Sequence, residues 1–202
     1  MKKGYHHGNL RQALVDAALE LIAAQGPNGF TLSEAAKTAD VTPAAVYRHF
    51  AGREDLIAAV ARQGFDIFAA LMEFAYKDGQ PSALAAFEST GRAYLAFARK
   101  YPGHYMAMFE SGLNLAAHPQ VAEVALRAKA VQDRAAAGLA AQLPEHRRPP
   151  AAMFSAHVWA LSHGVVELFM RGQNRSPFPP EELLESGIGI YLRGLGLLAP
   201  DR

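Results

Sequence analysis

Apolar residues recur at every third or fourth position along almost the whole chain, and no run alternates strictly between apolar and polar residues. A repeat near 3.6 is the signature of amphipathic helices, whereas a half-buried sheet needs a repeat of two, so the chain reads as all-α. Proline or glycine stands at nearly every point where the pattern lapses, which divides the helices from one another. Half of the 202 residues are hydrophobic, enough to fill a core and to exclude a disordered chain. With no cysteine, a disulfide framework, a thiolate nucleophile, an iron–sulfur cluster and a cysteine-bound zinc are all excluded.

Met1-Lys2-Lys3 would suit the start of a signal peptide, but residues 4–11 (GYHHGNLR) are polar where an apolar run is required, so a cytoplasmic protein is expected. Residues 149–166 carry no formal charge, yet two prolines, two histidines and two serines mark them as a bundle helix rather than a membrane span.

Leu10, Leu14, Ala17, Ala18, Leu21 and Ile22 form the stripe of a first helix that stops at Gly26-Pro27-Asn28-Gly29. Thr31-Leu32-Ser33-Glu34 has the capping-box pattern and opens a short second helix reaching residue 38 or 39. Thr42 as N-cap and Pro43 at the first helical position then start a third helix, 43–50, with Val46 and Phe50 as inward anchors. A long fourth helix begins near Arg53, with Glu54 and Asp55 favouring its dipole. Its apolar residues fall on two faces, Leu56, Val60, Ile67, Leu71 and Phe74 on one and Ile57, Phe68, Met72 and Tyr76 on the other. Further helices are expected over 82–100, 102–113, 119–143, 150–172 and 179–198. The predicted architecture is thus a three-helix N-terminal domain, residues 1–53, followed by a helical bundle, residues 54–202.

Two short helices joined by a tight turn match a helix-turn-helix, whose second helix enters the DNA major groove. The small residues Thr42, Pro43, Ala44 and Ala45 would let its backbone approach base edges, with Ala and Thr methyls suited to a thymine methyl. Tyr47, Arg48 and His49 all donate hydrogen bonds of the kind phosphate oxygens accept, and Thr31 and Lys37 on the second helix are further candidates.

These residues resemble the DNA-binding domain of the tetracycline-repressor (TetR) family of bacterial transcription regulators. The resemblance covers about the first sixty residues: the helix through Ala17 to Leu21, the turn from Gly26 to Phe30, Thr31-Leu32-Ser33-Glu34-Ala35-Ala36, the block from Val41 to Phe50, and Arg53-Glu54-Asp55-Leu56. Pro43-Ala44-Ala45 departs from the serine, glycine or threonine frequent there. Arg53 stands where lysine is commoner, and still offers a cation to phosphate. The resemblance implies a homodimer placing two third helices in successive major grooves of a palindromic operator, with the remaining helices binding a ligand and dimerising. Trp159, His163 and Gly164, in a Trp-x-x-x-His-Gly pattern, are similar to a C-terminal domain type of that family, and the N-terminal Tyr5-His6-His7-Gly8-Asn9-Leu10-Arg11 resembles the subgroup that carries it.

The net charge of +1 argues against a coat of basic residues. Up to Arg53, however, six Lys and Arg stand against four Asp and Glu, and His6, His7 and His49 lie there too, so a mildly basic face is concealed in a near-neutral whole. Lys2 and Lys3 are candidates for a basic arm.

In the bundle, Phe68, Met72, Tyr94, Tyr105, Met108, Trp159 and His163 are the candidate ligand contacts, an apolar wall with a few polar groups that suits a partly apolar effector. His163 and Glu167 share a helical face but lack further ligands, so no metal is expected. The glycines of the last helix do not have dinucleotide-binding spacing, and no cofactor is implied. Instead the pairs Gly187/Gly194 and Gly189/Gly196, seven apart, would admit a neighbouring helix closely. Together with Phe154, Val158, Leu161, Val165 and Leu168 they predict a dimer interface through the last two helices. The competing class, a helical-bundle metal or acid–base enzyme using His157, His163 and Glu167, lacks a nucleophile–base pair or convergent carboxylates.

Overall fold

The computed structural model describes residues 10–170 and 177–199. The basic-arm residues Lys2 and Lys3, the 5–9 part of the N-terminal motif, and the expected end of the eighth helix at 171–172 lie outside the described residues.

The described residues are helical, without a strand: α1 (Leu10–Gln25), α2 (Leu32–Thr38), α3 (Pro43–Val46), α4 (Arg53–Tyr76), α5 (Ala83–Lys100), α6 (Pro102–Phe109), α7 (Pro119–Ala140), α8 (Ala151–Met170) and α9 (Pro180–Leu195). They form two compact units, but these do not divide at Arg53. The first runs up to Ile67 and also takes in Tyr101–Ala125; the second holds Phe68–Lys100 and the chain from Leu126 onward. α4 and α7 each begin in the first unit and end in the second.

In the first unit α1 buries Leu14, Val15, Ala18 and Ile22, and Phe30, Val46, Phe50, Leu56 and Val60 join them. α6 lies along α1 at close range because Gly103 faces it. A Cβ there would sit 2.8 Å from Leu19 Cδ1 and 3.0 Å from the Leu19 carbonyl oxygen, so only glycine fits without displacement.

His104, next along α6, is buried with its Nε2 3.4 Å from Gln63 Oε1 of α4. Burial pushes its imidazole below the usual histidine range, and Asp16 of α1 offsets this in part. A lowered folded value means that the unfolded chain binds the proton first, so stability is present above the ordinary histidine range and falls as pH drops through it. Thermal melts between pH 7.5 and 5 are expected to show this loss, and His104→Gln is expected to flatten it; identical slopes would contradict the assignment.

In the second unit Phe68 packs edge-on against Tyr94 at 5.4 Å and at a tilt against Phe97 at 5.0 Å. Phe87 stacks on Phe154 at 5.8 Å, and Leu184, Ile188 and Leu192 bring α9 onto this core. On α4 the expectation fails at Phe74, which is 86% exposed. The helix exchanges neighbours as it passes Ile67, and in the second unit its Phe68–Met72 face is the buried one.

α9 ends at Leu195, short of the expected residue 198. Gly196 lies beyond the helix with φ +80°, and the Leu197 amide returns to the Leu192 carbonyl, which makes it the left-handed terminator of α9. Space at Gly189 is occupied by the guanidinium of Arg193, and only Gly187 faces α8, with a Cβ position 3.7 Å from Leu161 Cδ2. The seven-residue glycine pairs therefore do not line an intrachain helix seam.

Candidate nucleic-acid interface and internal cavity

The helix-turn-helix is built by local chemistry. Thr31 accepts from the Glu34 amide at 3.2 Å while Glu34 Oε2 accepts from the Thr31 amide at 2.8 Å, closing the expected capping box. The Thr31 hydroxyl also donates to Glu34, and these bonds hold the Glu34 carboxyl below its usual range. Just past α2, Asp40 has φ +56°, and the Val41 amide reaches back to the Ala36 carbonyl at 2.9 Å. An aspartate tolerates this left-handed position better than most side chains, and it makes the turn tight.

α3 is shorter than the predicted 43–50. Pro43 is its first residue and Thr42 its N-cap, but the Thr42 hydroxyl makes no cap bond. The Ala45 amide, which the hydroxyl would have taken, bonds the Thr42 backbone carbonyl at 2.9 Å instead. After Val46 the chain tightens into three-residue turns, Arg48 amide to Ala45 and His49 amide to Val46, which swing Phe50 inward. Val46 and Phe50 are buried as expected. Thr42, Pro43 and Ala44 are exposed and Ala45 is half-buried. Tyr47, at 63% exposure, stands outward with Arg48 and His49 just past the helix end, and Thr31 and Lys37 are exposed on α2.

Arg53 makes contacts within the chain. Its guanidinium donates to the Pro27 carbonyl at 3.2 Å and to Asn28 Oδ1 at 3.1 Å, and lies 5.9 Å from the Phe30 ring centre. It ties the start of α4 to the α1–α2 turn. Sequence reasoning missed two further residues. Arg11 of α1 sits over the Phe50 ring at 5.1 Å, which sets an exposed cation beside the end of α3. His118, ahead of α7, meets Glu54 at 3.2 Å and so braces the first turn of α4. The partners lie 39 and 64 residues apart in the chain, and no local pattern signals them.

Of the candidate ligand contacts, Phe68, Met72 and Tyr94 are buried in the second unit. The Tyr94 hydroxyl lies 2.9 Å from His163 Nδ1, and Trp159, 41% exposed, packs edge-on against that imidazole. Tyr105 and Met108 belong to the first unit, with Tyr105 against Phe109 and Met108 over Gly64. A cavity of about 10 Å³ between α5, α7 and α8 is lined by Phe87, Thr90, Tyr94, Gln132, Ser155 and Ser162 among others. Trp159 and His163 do not line it directly. Among the described residues no group of three or more His, Asp or Glu could hold a metal, and no helix is long and apolar enough to cross a membrane.

Comparison with known proteins matches both parts of the chain. Residues 14–60 fit the family described as "Bacterial regulatory proteins, tetR family", and residues 87–191 fit "Tetracyclin repressor-like, C-terminal domain". Residues of this chain are 48% identical over 52 positions to the HTH-type transcriptional regulator BetI of Rhizobium meliloti (strain 1021), covering 26% of each chain. They are 31% identical over 101 positions to the uncharacterized HTH-type transcriptional regulator YobS of Bacillus subtilis (strain 168), covering 50% of this chain and 51% of that one. The chain thus spans about a quarter to a half of the length of these regulators. Over nearly the full length, the fold is similar to a protein of unknown function from Rhodococcus sp. RHA1, with a TM-score of 0.79 and 26% identity over 96% of this chain and 98% of that one. It is also similar to the transcriptional regulator FadR from Bacillus subtilis, solved with stearoyl-CoA, with a TM-score of 0.72 and 17% identity over 91% of this chain and 98% of that one.

Proposed function

This chain belongs to the TetR family of transcriptional regulators, and on that premise we propose that it is a homodimeric repressor released from a palindromic operator by a small, partly apolar effector. The observation that carries the reading is the capped α2–α3 pair presenting Thr42, Ala44, Tyr47, Arg48 and His49 to solvent beside the cation of Arg11. In this reading Thr42, Pro43, Ala44 and Ala45 approach base edges, and Tyr47, Arg48, His49, Lys37, Thr31 and Arg11 serve the phosphates. Arg53 acts by holding α4 to the α1–α2 turn.

Dimerisation through α8 and α9 is supported by their exposed apolar side chains. Leu168 is 56% and Ile190 64% exposed, and an open cleft of about 620 Å³ is lined by Leu161, Gly164, Val165, Leu168, Leu183 and Gly187. The effector would enter the second unit between α5, α7 and α8. Because α4 is one continuous helix ending there and beginning beside the helix-turn-helix, a shift of its end would carry to its start. Release requires the effector to bind the released conformation more tightly than the operator-bound one.

Selection of bound DNA fragments tests the reading: a palindromic consensus is expected, and retention of no fragment would overturn it. On the selected site, Arg48→Ala is expected to weaken binding and to reduce the salt slope by about two, one phosphate contact for each protomer. An unchanged slope would remove Arg48 from the backbone contacts.

A further inference from the structure

The residues assigned to the base edges, Thr42, Pro43, Ala44 and Ala45, carry a single polar side-chain atom among them, the Thr42 hydroxyl. From Thr42 to Tyr47 there is no Asn, Gln, Asp, Glu, Lys or Arg. Those are the side chains that tell one base from another by hydrogen bonding, because each fits the donor and acceptor pattern of a particular edge. A hydroxyl rotates to donate or to accept, so Thr42 can bond any of the four edges. It holds the helix in the groove without choosing a base.

The rest of this surface is carbon. Pro43 and Ala44 are exposed and Ala45 is half-buried, on a turn anchored from behind by buried Val46 and Phe50. The Ala45 amide is taken by the Thr42 carbonyl at 2.9 Å, and Pro43 has no N–H to offer. Proline and alanine have no side-chain rotamers with which to reach past the surface they present. In the major groove one base of the usual four carries an apolar group at its edge, thymine through its 5-methyl. Uracil and cytosine lack that group, and 5-methylcytosine has it at the same ring position.

We propose that this turn selects bases by the 5-methyl group seated against Ala44, and that 5-methylcytosine paired with guanine therefore substitutes there for thymine paired with adenine. The proposal rests on the operator reading above and names what its base contact recognises. Methylation of a cytosine at that position of a site would then strengthen binding, which makes the methylation state of the DNA a signal to this chain.

Duplexes of the selected operator, changed identically in both half-sites, isolate the methyl group at constant phosphate charge. Each thymine is replaced in turn by deoxyuridine, and affinity is read by gel shift at one salt concentration. At one thymine of each half-site the loss is expected to be about four-fold per methyl and about fifteen-fold for the pair, the transfer value of a buried methyl group. Cytosine at that position is expected to bind like uracil, and 5-methylcytosine to recover most of the loss. Ala44→Gly removes the protein's side of the contact, so its ratio of thymine to uracil affinity is expected to fall toward one. A ratio taken on one protein cancels any helicity that glycine costs α3.

Indifference of every thymine to the loss of its methyl would overturn the proposal. So would 5-methylcytosine that binds no better than cytosine, or a ratio unchanged in Ala44→Gly. Each of these failures is measured on DNA that the protein retains, and leaves the operator reading standing. Retention of no fragment in the selection overturns both.

Discussion

Replacing Phe50 by alanine is expected to remove about 3–5 kcal/mol from the first unit, the usual cost of emptying a buried aromatic site. The ring is 2% exposed and fills the space into which the chain turns after α3, where Val46 is also buried. Domains of this size are stable by only about 5–15 kcal/mol, so the loss leaves the recognition turn poorly folded at physiological temperature. Arg11 loses the face it rests on at the same time. Urea unfolding followed by circular dichroism is expected to show an early transition confined to part of the helical signal, with operator binding abolished. A loss below about 1 kcal/mol would mean that the site collapses around the missing ring, and that Phe50 does not hold the turn in place.

Leu161→Glu is expected to have an effect of comparable size on a different property. Leu161 is exposed on α8, beside Gly187 of α9, in the open apolar cleft assigned to the dimer contact. A two-fold interface would bury two such carboxylates with no cation among the described residues lining the cleft, at a cost of several kcal/mol. Sedimentation at micromolar concentration is expected to show monomers with an unchanged melting profile for the single chain. Operator affinity is expected to fall by about 10²- to 10⁴-fold as the second half-site contact becomes a separate binding event. A variant that remains dimeric would move the interface away from α8 and α9.

Features decided within one turn of chain were legible in the sequence. The capping box of Thr31 and Glu34, the Pro43 start of α3 and the burial of Val46 and Phe50 depend on neighbours at fixed short spacing. The bonds of Arg53 to Pro27 and Asn28 could not be read from the sequence, because these partners are 26 and 25 residues away and reached only after folding. The early end of α3 has the same origin, since the turn tightens to deliver Phe50 to a tertiary site. Periodicity told which residues share a face but not whether anything covers it, hence the exposed Phe74. In the cavity, Tyr94 was readable as an apolar-face aromatic, yet its bond to His163 spans 69 residues and the polar lining had no spacing to betray it.

The close seat of Gly103 against Leu19 sets a limit on modular exchange in this chain. A hybrid regulator made by transplanting residues 1–53 alone would present a foreign α1 to an α6 that has no room for a bulkier neighbour. The portable reading head is therefore discontinuous in sequence. It consists of the chain up to Ile67 together with Tyr101–Ala125, and an operator-specificity graft that respects this seam should carry both pieces.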